Sequence, residues 1–310
     1  MSTTLARRLR ALLPAIALAL LLGAIFWLQP RAMSYFGLNL LLNLSIPIVF
    51  ATLSQMLVLT IGDLDLGIGG FVSFVACVAV TLLADSPAFG VLVLAGAVLA
   101  YALVGALVQL RRLPAIVVTL GMSFVWFGLA VIVLPSPGGT TPAWLQAALR
   151  LKTPLVPLPI VVAAAVAAVA WFLMMRTSFG AVLRGAGGNP VAVARAGWSL
   201  LTIRATLYAL AGCMGVLSGL TLAGLSTSAD ANIALRYTLL SIAGAILGGS
   251  EFTGGRVSPV GAVLGALVMT LAASFLAFLR LNPDWQIGVQ GAILILILAL
   301  RAGLGRLERA

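Results

Sequence analysis

The sequence predicts an all-α fold: a polytopic membrane helix bundle of about ten transmembrane helices, with both termini cytoplasmic. Three observations carry that expectation. Of 310 residues, 62% are hydrophobic and only 8% charged, with mean hydropathy +1.20. No soluble domain of this length has that balance. The apolar residues fall in repeated runs long enough to cross about 30 Å of hydrocarbon. The basic residues lie between those runs with a strong bias to one side.

Taken in order, the runs lie near 11–29, 37–60, 68–84, 88–110, 115–134, 157–175, 205–224, 237–250, 259–279 and 284–301. Arg7, Arg8 and Arg10 precede the first, a polarity shared with secretory signals. The run of about 18 residues is long for a signal. No small-residue cleavage site follows it before Gln29-Pro30, so it reads as a retained span. Turn residues separate the others: Pro30-Arg31, Asp85-Ser86-Pro87, Arg111-Arg112-Leu113-Pro114, the stretch 135–159, and Leu281-Asn282-Pro283-Asp284. The run 237–250 is too short for a comfortable crossing and reads as a half-helix or a tilted piece. The longest outer loop, 135–156, is rich in Pro and Thr and holds one amphipathic piece at 143–151. No change of composition marks a second domain, so 1–310 reads as one membrane domain.

Charge orients this layout. With the N-terminus inside, thirteen basic residues face the cytoplasm: Arg7, Arg8, Arg10, Arg111, Arg112, Arg176, Arg184, Arg195, Arg204, Arg256, Arg301, Arg306 and Arg309. Five face out: Arg31, Arg150, Lys152, Arg236 and Arg280. The net charge of +11 is therefore loop charge that orients the chain. It forms no long cluster of the kind that binds nucleic acid.

Enzyme chemistry is poorly provided for, and no catalytic residue is assigned. There is no histidine, hence neither the commonest general base nor the commonest metal ligand. Cys77 and Cys213 each lie inside an apolar run and read as packing residues, so no metal site is expected. The one lysine, Lys152, follows Leu151, so no Walker A motif exists. The chain cannot hydrolyse ATP by that route.

Two segments combine glycine with carboxylates. One is Gly62-Asp63-Leu64-Asp65-Leu66-Gly67-Ile68-Gly69-Gly70, and the other is Gly248-Gly249-Ser250-Glu251-Phe252-Thr253-Gly254-Gly255. They hold three of the seven acids. Such backbone turns sharply or is approached closely. Two compatible readings stand. One is a broken-helix region on a transport pathway, with Asp63, Asp65 and Glu251 as candidates. The other is a tight turn whose side chains cap the next helix: Asp65 a helix starting near Leu66, Ser250 or Glu251 the one after.

A third segment is polar where its surroundings are apolar. Asn189 is a good N-cap, Pro190 suits the first helical position, and Gly197 suits a left-handed stop. The helix between is barely two turns, flanked by Arg184, Arg195 and Arg204, with no acid from 176 to 204. It is too short to be stable alone. It reads as a docking helix for a cytosolic partner or, more simply, as a loop helix lying on headgroups.

Here the chain resembles a known family, the permease subunits of ribose-type ABC importers. The resemblance rests on Thr177-x-Phe179-Gly180, Gly187-Gly188-Asn189-Pro190-x-Ala192-x-x-Arg195-x-Gly197 and Tyr208-x-x-x-Gly212. It rests also on Gly62-Asp63-Leu64-Asp65-Leu66-x-x-Gly69, Val118-Thr119-Leu120-Gly121, Leu247-Gly248-Gly249-Ser250 with Gly254-Gly255, and Gly288 with Gly291. These pieces run in order from about 40 to 300.

The resemblance implies a bacterial inner-membrane permease, one domain over 1–310, working as a homo- or heterodimer. It implies a cytoplasmic ABC ATPase that binds the ATP and a periplasmic substrate-binding protein. A segment of about 176–204 would couple to the ATPase through Gly188, Asn189, Pro190, Ala192, Arg195 and Gly197. No cofactor is expected on this chain. The substrate class it points to is a monosaccharide or related polyol, with branched-chain amino acid and nucleoside permeases as open alternatives. The chain departs from the pattern at Thr238, where relatives carry glutamate, and at 276–279, where they carry Asn-Gly. Along the pathway Ser45, Gln55, Thr119 and Ser123 are polar candidates, each equally readable as interhelical packing. An ion-coupled carrier is the rival class. It needs titratable groups near the bilayer midplane, and this layout puts every acid at a span end.

Overall fold

The computed structural model describes residues 3–279 together with the helical positions 288, 291, 292 and 295. Fourteen α-helices follow one another within 3–279: α1 Thr3–Leu28, α2 Tyr35–Asn43, α3 Ser45–Leu59, α4 Ile68–Val80, α5 Leu82–Asp85, α6 Pro87–Arg111, α7 Ala115–Val133, α8 Ala143–Leu149, α9 Leu158–Trp171, α10 Ser178–Gly188, α11 Pro190–Arg195, α12 Leu200–Ser226, α13 Tyr237–Leu247 and α14 Pro259–Phe278. A π-helical turn, Phe172–Arg176, extends α9. Among the described residues there is no strand, only an antiparallel bridge between Gly138 and Ala229. The all-α expectation holds.

Among the described residues, six helical segments are long and apolar enough to cross a membrane, or seven if α2 and α3, bent by 43°, count as one. The ten expected runs exceed this for identifiable reasons. α13 is short by this measure, and of α1 the stretch Leu12–Leu28 alone enters it. The last expected run, 284–301, lies outside the described residues apart from the four positions named above. The half-helix expected at 237–250 is found. α13 has 11 residues, about 16 Å at the usual rise. The chain before it, 227–236, is not helical. That stretch lies against α4: the Ala234 N–H donates to Ser73 Oγ at 3.0 Å and the Gly69 N–H to Thr238 Oγ1 at 3.1 Å. Irregular backbone beside a spanning helix persists because protein, not lipid, takes up its polar groups.

Every residue of α3 and of α4 is buried. These two form the centre, and α6, α7, α9 and α12 stand around them with large apolar faces outward. Lipid is as apolar as leucine, so helices here gain by close contact and not by leaving water. Glycine provides the contact. A Cβ at Gly105 would lie 2.7 Å from the Tyr208 ring, and one at Gly212 3.0 Å from Tyr101. The antiparallel helices α6 and α12 thus seat one tyrosine each on the other's glycine. Gly248 meets Gly261, and Gly244 meets Gly265, backbone on backbone, between α13 and α14.

Candidate functional site

The docking segment forms as its residues dictate. Thr177 Oγ1 accepts the Gly180 N–H at 3.0 Å and starts α10. Asn189 Oδ1 accepts the Ala192 N–H at 3.0 Å and starts α11, with Pro190 as its first residue. Gly197, at φ +86°, ends it. The Gly197 N–H bonds Ala194 O and the Trp198 N–H bonds Val193 O, which closes a Schellman turn. No residue of α11 is buried; Ala192, Arg195, Val191 and Trp198 are all exposed. Gly188 and Asn189 are exposed beside them.

Behind this segment lies the loop 60–67, between α3 and α4. It is held from every side. The Gln55 amide pairs with both backbone groups of Asp65, at 3.0 and 3.1 Å. Thr119 Oγ1 donates to Leu64 O and accepts the Leu66 N–H, each at 3.1 Å. Asp65 is 1% exposed. Its Oδ1 accepts the Gly67 N–H at 2.7 Å and its Oδ2 accepts the Tyr101 hydroxyl at 2.7 Å. Asp63 takes Arg204 Nε on Oδ2 at 3.1 Å and Nη2 on Oδ1 at 3.3 Å, and its Oδ2 also accepts the Tyr208 hydroxyl at 3.1 Å. Arg204 Nη1 donates to Gln109 Oε1 at 2.8 Å. Burial pushes both carboxyls above the usual range, Asp65 to about 6. The Arg204 charge and the Tyr208 hydroxyl oppose this at Asp63; the Tyr101 hydroxyl and the N–H groups of Gly67 and Ile68 oppose it at Asp65.

Five pathway candidates, Ser45, Gln55, Asp63, Asp65 and Thr119, are therefore buried in this protomer, and each is hydrogen-bonded within the chain. Ser45 Oγ donates to Leu42 O at the bend between α2 and α3. Ser123 is partly exposed on α7. Glu251 stands at a turn, its N–H on Arg256 O at 3.0 Å and its carboxylate 3.7 Å from the Arg256 guanidinium. Two capping expectations change. The helix after Asp65 begins at Ile68, so the carboxylate satisfies the Gly67 N–H just ahead of it. Ser258, not Ser250 or Glu251, caps α14, because the glycine turn puts several residues between. Thr238, where the family pattern has glutamate, accepts an N–H of the first turn of α4.

The three glycine-bearing segments meet. Gly187, at the end of α10, lies against Thr60 O and the Gly255 N–H, leaving no room for a Cβ. The Gly255 N–H itself bonds Thr60 O at 2.8 Å. Gly254 lies on Gly62 and Gly187. Sequence reasoning missed Tyr101, Gln109 and the partner of Arg204. The signal was present: Tyr101-x-x-x-Gly105-x-x-x-Gln109 on α6 and Arg204-x-x-x-Tyr208-x-x-x-Gly212 on α12 are complementary when read antiparallel. Every rung of that ladder forms.

Residues 37–298 match the model of a family described as branched-chain amino acid transport system / permease component. The chain is 28% identical to the galactose/methyl galactoside import permease protein MglC of Escherichia coli (strain K12), over 92% of each chain. It is 28% identical to the ribose import permease protein RbsC of the same strain, over 91% of this chain and 90% of that one. It is 30% identical to the L-arabinose ABC transporter permease protein AraH of Azospirillum brasilense, over 78% and 73% respectively. No solved structure matches it.

Proposed function

The chain belongs to this permease-component family, and from that premise we propose that it is the transmembrane subunit of an ATP-driven importer for a monosaccharide. The carrying observation is the set of relatives, matched over 73% to 92% of their own length, named as permeases for galactose, ribose and arabinose. It is a multi-pass inner-membrane protein that crosses about ten times, with both termini cytoplasmic. It works beside a second permease copy, a cytoplasmic ATPase that binds the ATP, and a periplasmic binding protein that delivers the sugar.

α11 is the part that the ATPase grips, through the face that carries Asn189, Pro190, Ala192 and Arg195. The support is its form: a six-residue helix with both ends capped and nothing buried has no tertiary reason to exist alone. ATP-driven closure of the partner displaces α11, and the rigid helices behind it tilt to turn the pathway from one side of the membrane to the other. The loop 60–67 serves as a structural core and not as an ion site, since Asp63 and Asp65 spend their acceptors on Arg204, two tyrosines and a backbone N–H. Of the pathway candidates, Ser123 on α7 and Glu251 at the glycine turn are the two that are not buried.

Reconstitution tests this reading. Proteoliposomes with the chain, its ATPase and its binding protein are expected to take up sugar only with ATP. The chain alone under a proton or sodium gradient is expected to take up none. Gradient-driven uptake by the lone chain, abolished by Asp63→Asn or Asp65→Asn, would establish a secondary carrier instead. Reporters check the orientation: one fused after Ala310 is expected to be active in the cytoplasm and one within 137–142 outside.

A further inference from the structure

We propose that Arg204 is a positioning residue for coupling: its forked pair with Asp63 is the joint through which a displacement of α11 reaches the loop 60–67 and the buried helices α3 and α4. This rests on the reading of α11 as the ATPase-docking helix.

The geometry of attachment comes first. Only Ala196, Gly197, Trp198 and Ser199 separate α11 from α12. The Schellman turn at Gly197 stiffens the first part of that link, and Ser199, which accepts the Thr202 N–H at 3.3 Å, fixes the start of α12. Arg204 lies one turn into α12. Its guanidinium makes two hydrogen bonds, one to Asp63 in the loop and one to Gln109 at the cytoplasmic end of α6, and its Nε stands 3.1 Å from the second Asp63 oxygen as an ion-pair contact. One turn further on, Tyr208 donates to the same Asp63 carboxylate. On its other flank, α11 follows α10, whose Gly187 lies on Thr60 O. Both approaches to α11 therefore land on one eight-residue stretch, 60–67. A movement of α11 therefore reaches this stretch from both flanks.

Energetics then ask why a charge pair sits there. Arg204 and Asp63 side chains are 22% and 10% exposed. The ion pair of Glu251 with Arg256 is at the surface, the arginine 76% exposed. Burying two charges costs desolvation that the attraction about balances, and apolar residues of equal volume often hold a core as well. What such a pair adds is direction. A guanidinium fork on a carboxylate fixes orientation as well as distance, which a lysine ammonium does not. The joint thus holds α12 at a set angle to the loop, and the loop carries that angle into α3 and α4, which it joins, with Gln55 of α3 and Thr119 of α7 bonded to its backbone.

The test uses the full transporter with Arg204→Lys and Arg204→Gln, measuring co-purification of the ATPase, ATP hydrolysis and sugar moved per ATP. Assembly and hydrolysis are expected to stay near wild type while sugar per ATP falls about tenfold, a usual size for coupling between sites. Arg204→Lys keeps the charge, so it decides the matter if Arg204→Gln does not accumulate. Wild-type sugar per ATP in Arg204→Lys would overturn the proposal. So would a proportional fall in transport and hydrolysis, which marks a mere structural tie. Arg195→Glu, tested alongside, is expected to weaken ATPase association. If association is unchanged there, the docking reading fails on its own account, whatever Arg204 shows.

Discussion

The loop 60–67 meets a junction of glycines through Gly187 of α10, and the helix α11 begins three residues after that glycine, yet loop and helix are held by opposite means. Around the loop, Gln55, Thr119, Tyr101, Tyr208 and Arg204 each close a specific bond, and the flanking helices α3 and α4 are wholly buried. Around α11, caps do most of the holding: Asn189 at one end, Gly197 at the other, and no fully buried side chain between. The first region completes itself within the chain. The second is finished locally, and its contact with the core is slight, a partly buried Val193. A segment so specified and so bare is adapted to something outside the chain. The region behind it is adapted to stay unchanged while that something moves.

The sharpest way to break this contrast is at the junction. Gly187→Val puts branched carbons where Thr60 O and the Gly255 N–H now lie, with backbone on both sides and no flexible side chain to yield. It is expected to destabilise the protein by about 3 kcal/mol, the upper part of the overpacking range. The check is the midpoint of thermal unfolding in detergent; an unchanged midpoint would mean that the two regions are not in contact.

The two aspartates sharpen the comparison within the loop. Asp65→Ala strands the Tyr101 hydroxyl and the Gly67 N–H in a dry site, an expected loss of about 2 kcal/mol. Asp65→Asn keeps the acceptor for Gly67 and can donate to the tyrosine oxygen, so it should cost well under half of that, about 0.5 kcal/mol. Asp63→Asn is the harsher amide: both carboxylate oxygens face the Arg204 guanidinium, and one also accepts the Tyr208 hydroxyl. An NH2 there faces a donor. Unfolding midpoints should therefore rank Asp65→Asn above Asp63→Asn, and the reverse order would refute the assigned bonds.

The smallest expected change in stability is at α11. Asn189→Ala with Pro190→Gly removes a cap worth about 1 kcal/mol to that helix. Because α11 buries nothing, the global unfolding midpoint should not move, while ATP-dependent uptake falls. A lowered midpoint with uptake intact would assign α11 to the core.

Much of this was legible in advance, and the reason is range. The cap at Asn189 reaches Ala192, three residues on, and the Gly197 turn closes on Val193 and Ala194. Such bonds form within a turn, so residue type and spacing decide them. The membrane class follows just as directly from apolar runs, since hydrocarbon admits little else. The short run at 237–250 announced its own break, because its length cannot span.

Tertiary structure alone decided the rest. The bond from Arg204 to Asp63 joins residues 141 apart, and that from Tyr101 to Asp65 residues 36 apart. No local preference selects such partners. The same holds where Gly187 meets Thr60 and where Tyr101 and Tyr208 settle on Gly212 and Gly105. Composition marked the glycines and the acids as special, but which backbone approached which could be settled only by helices packed at full length. In lipid that packing is chosen by shape and by the pairing of buried polar groups, both of which are properties of two surfaces together and of neither alone.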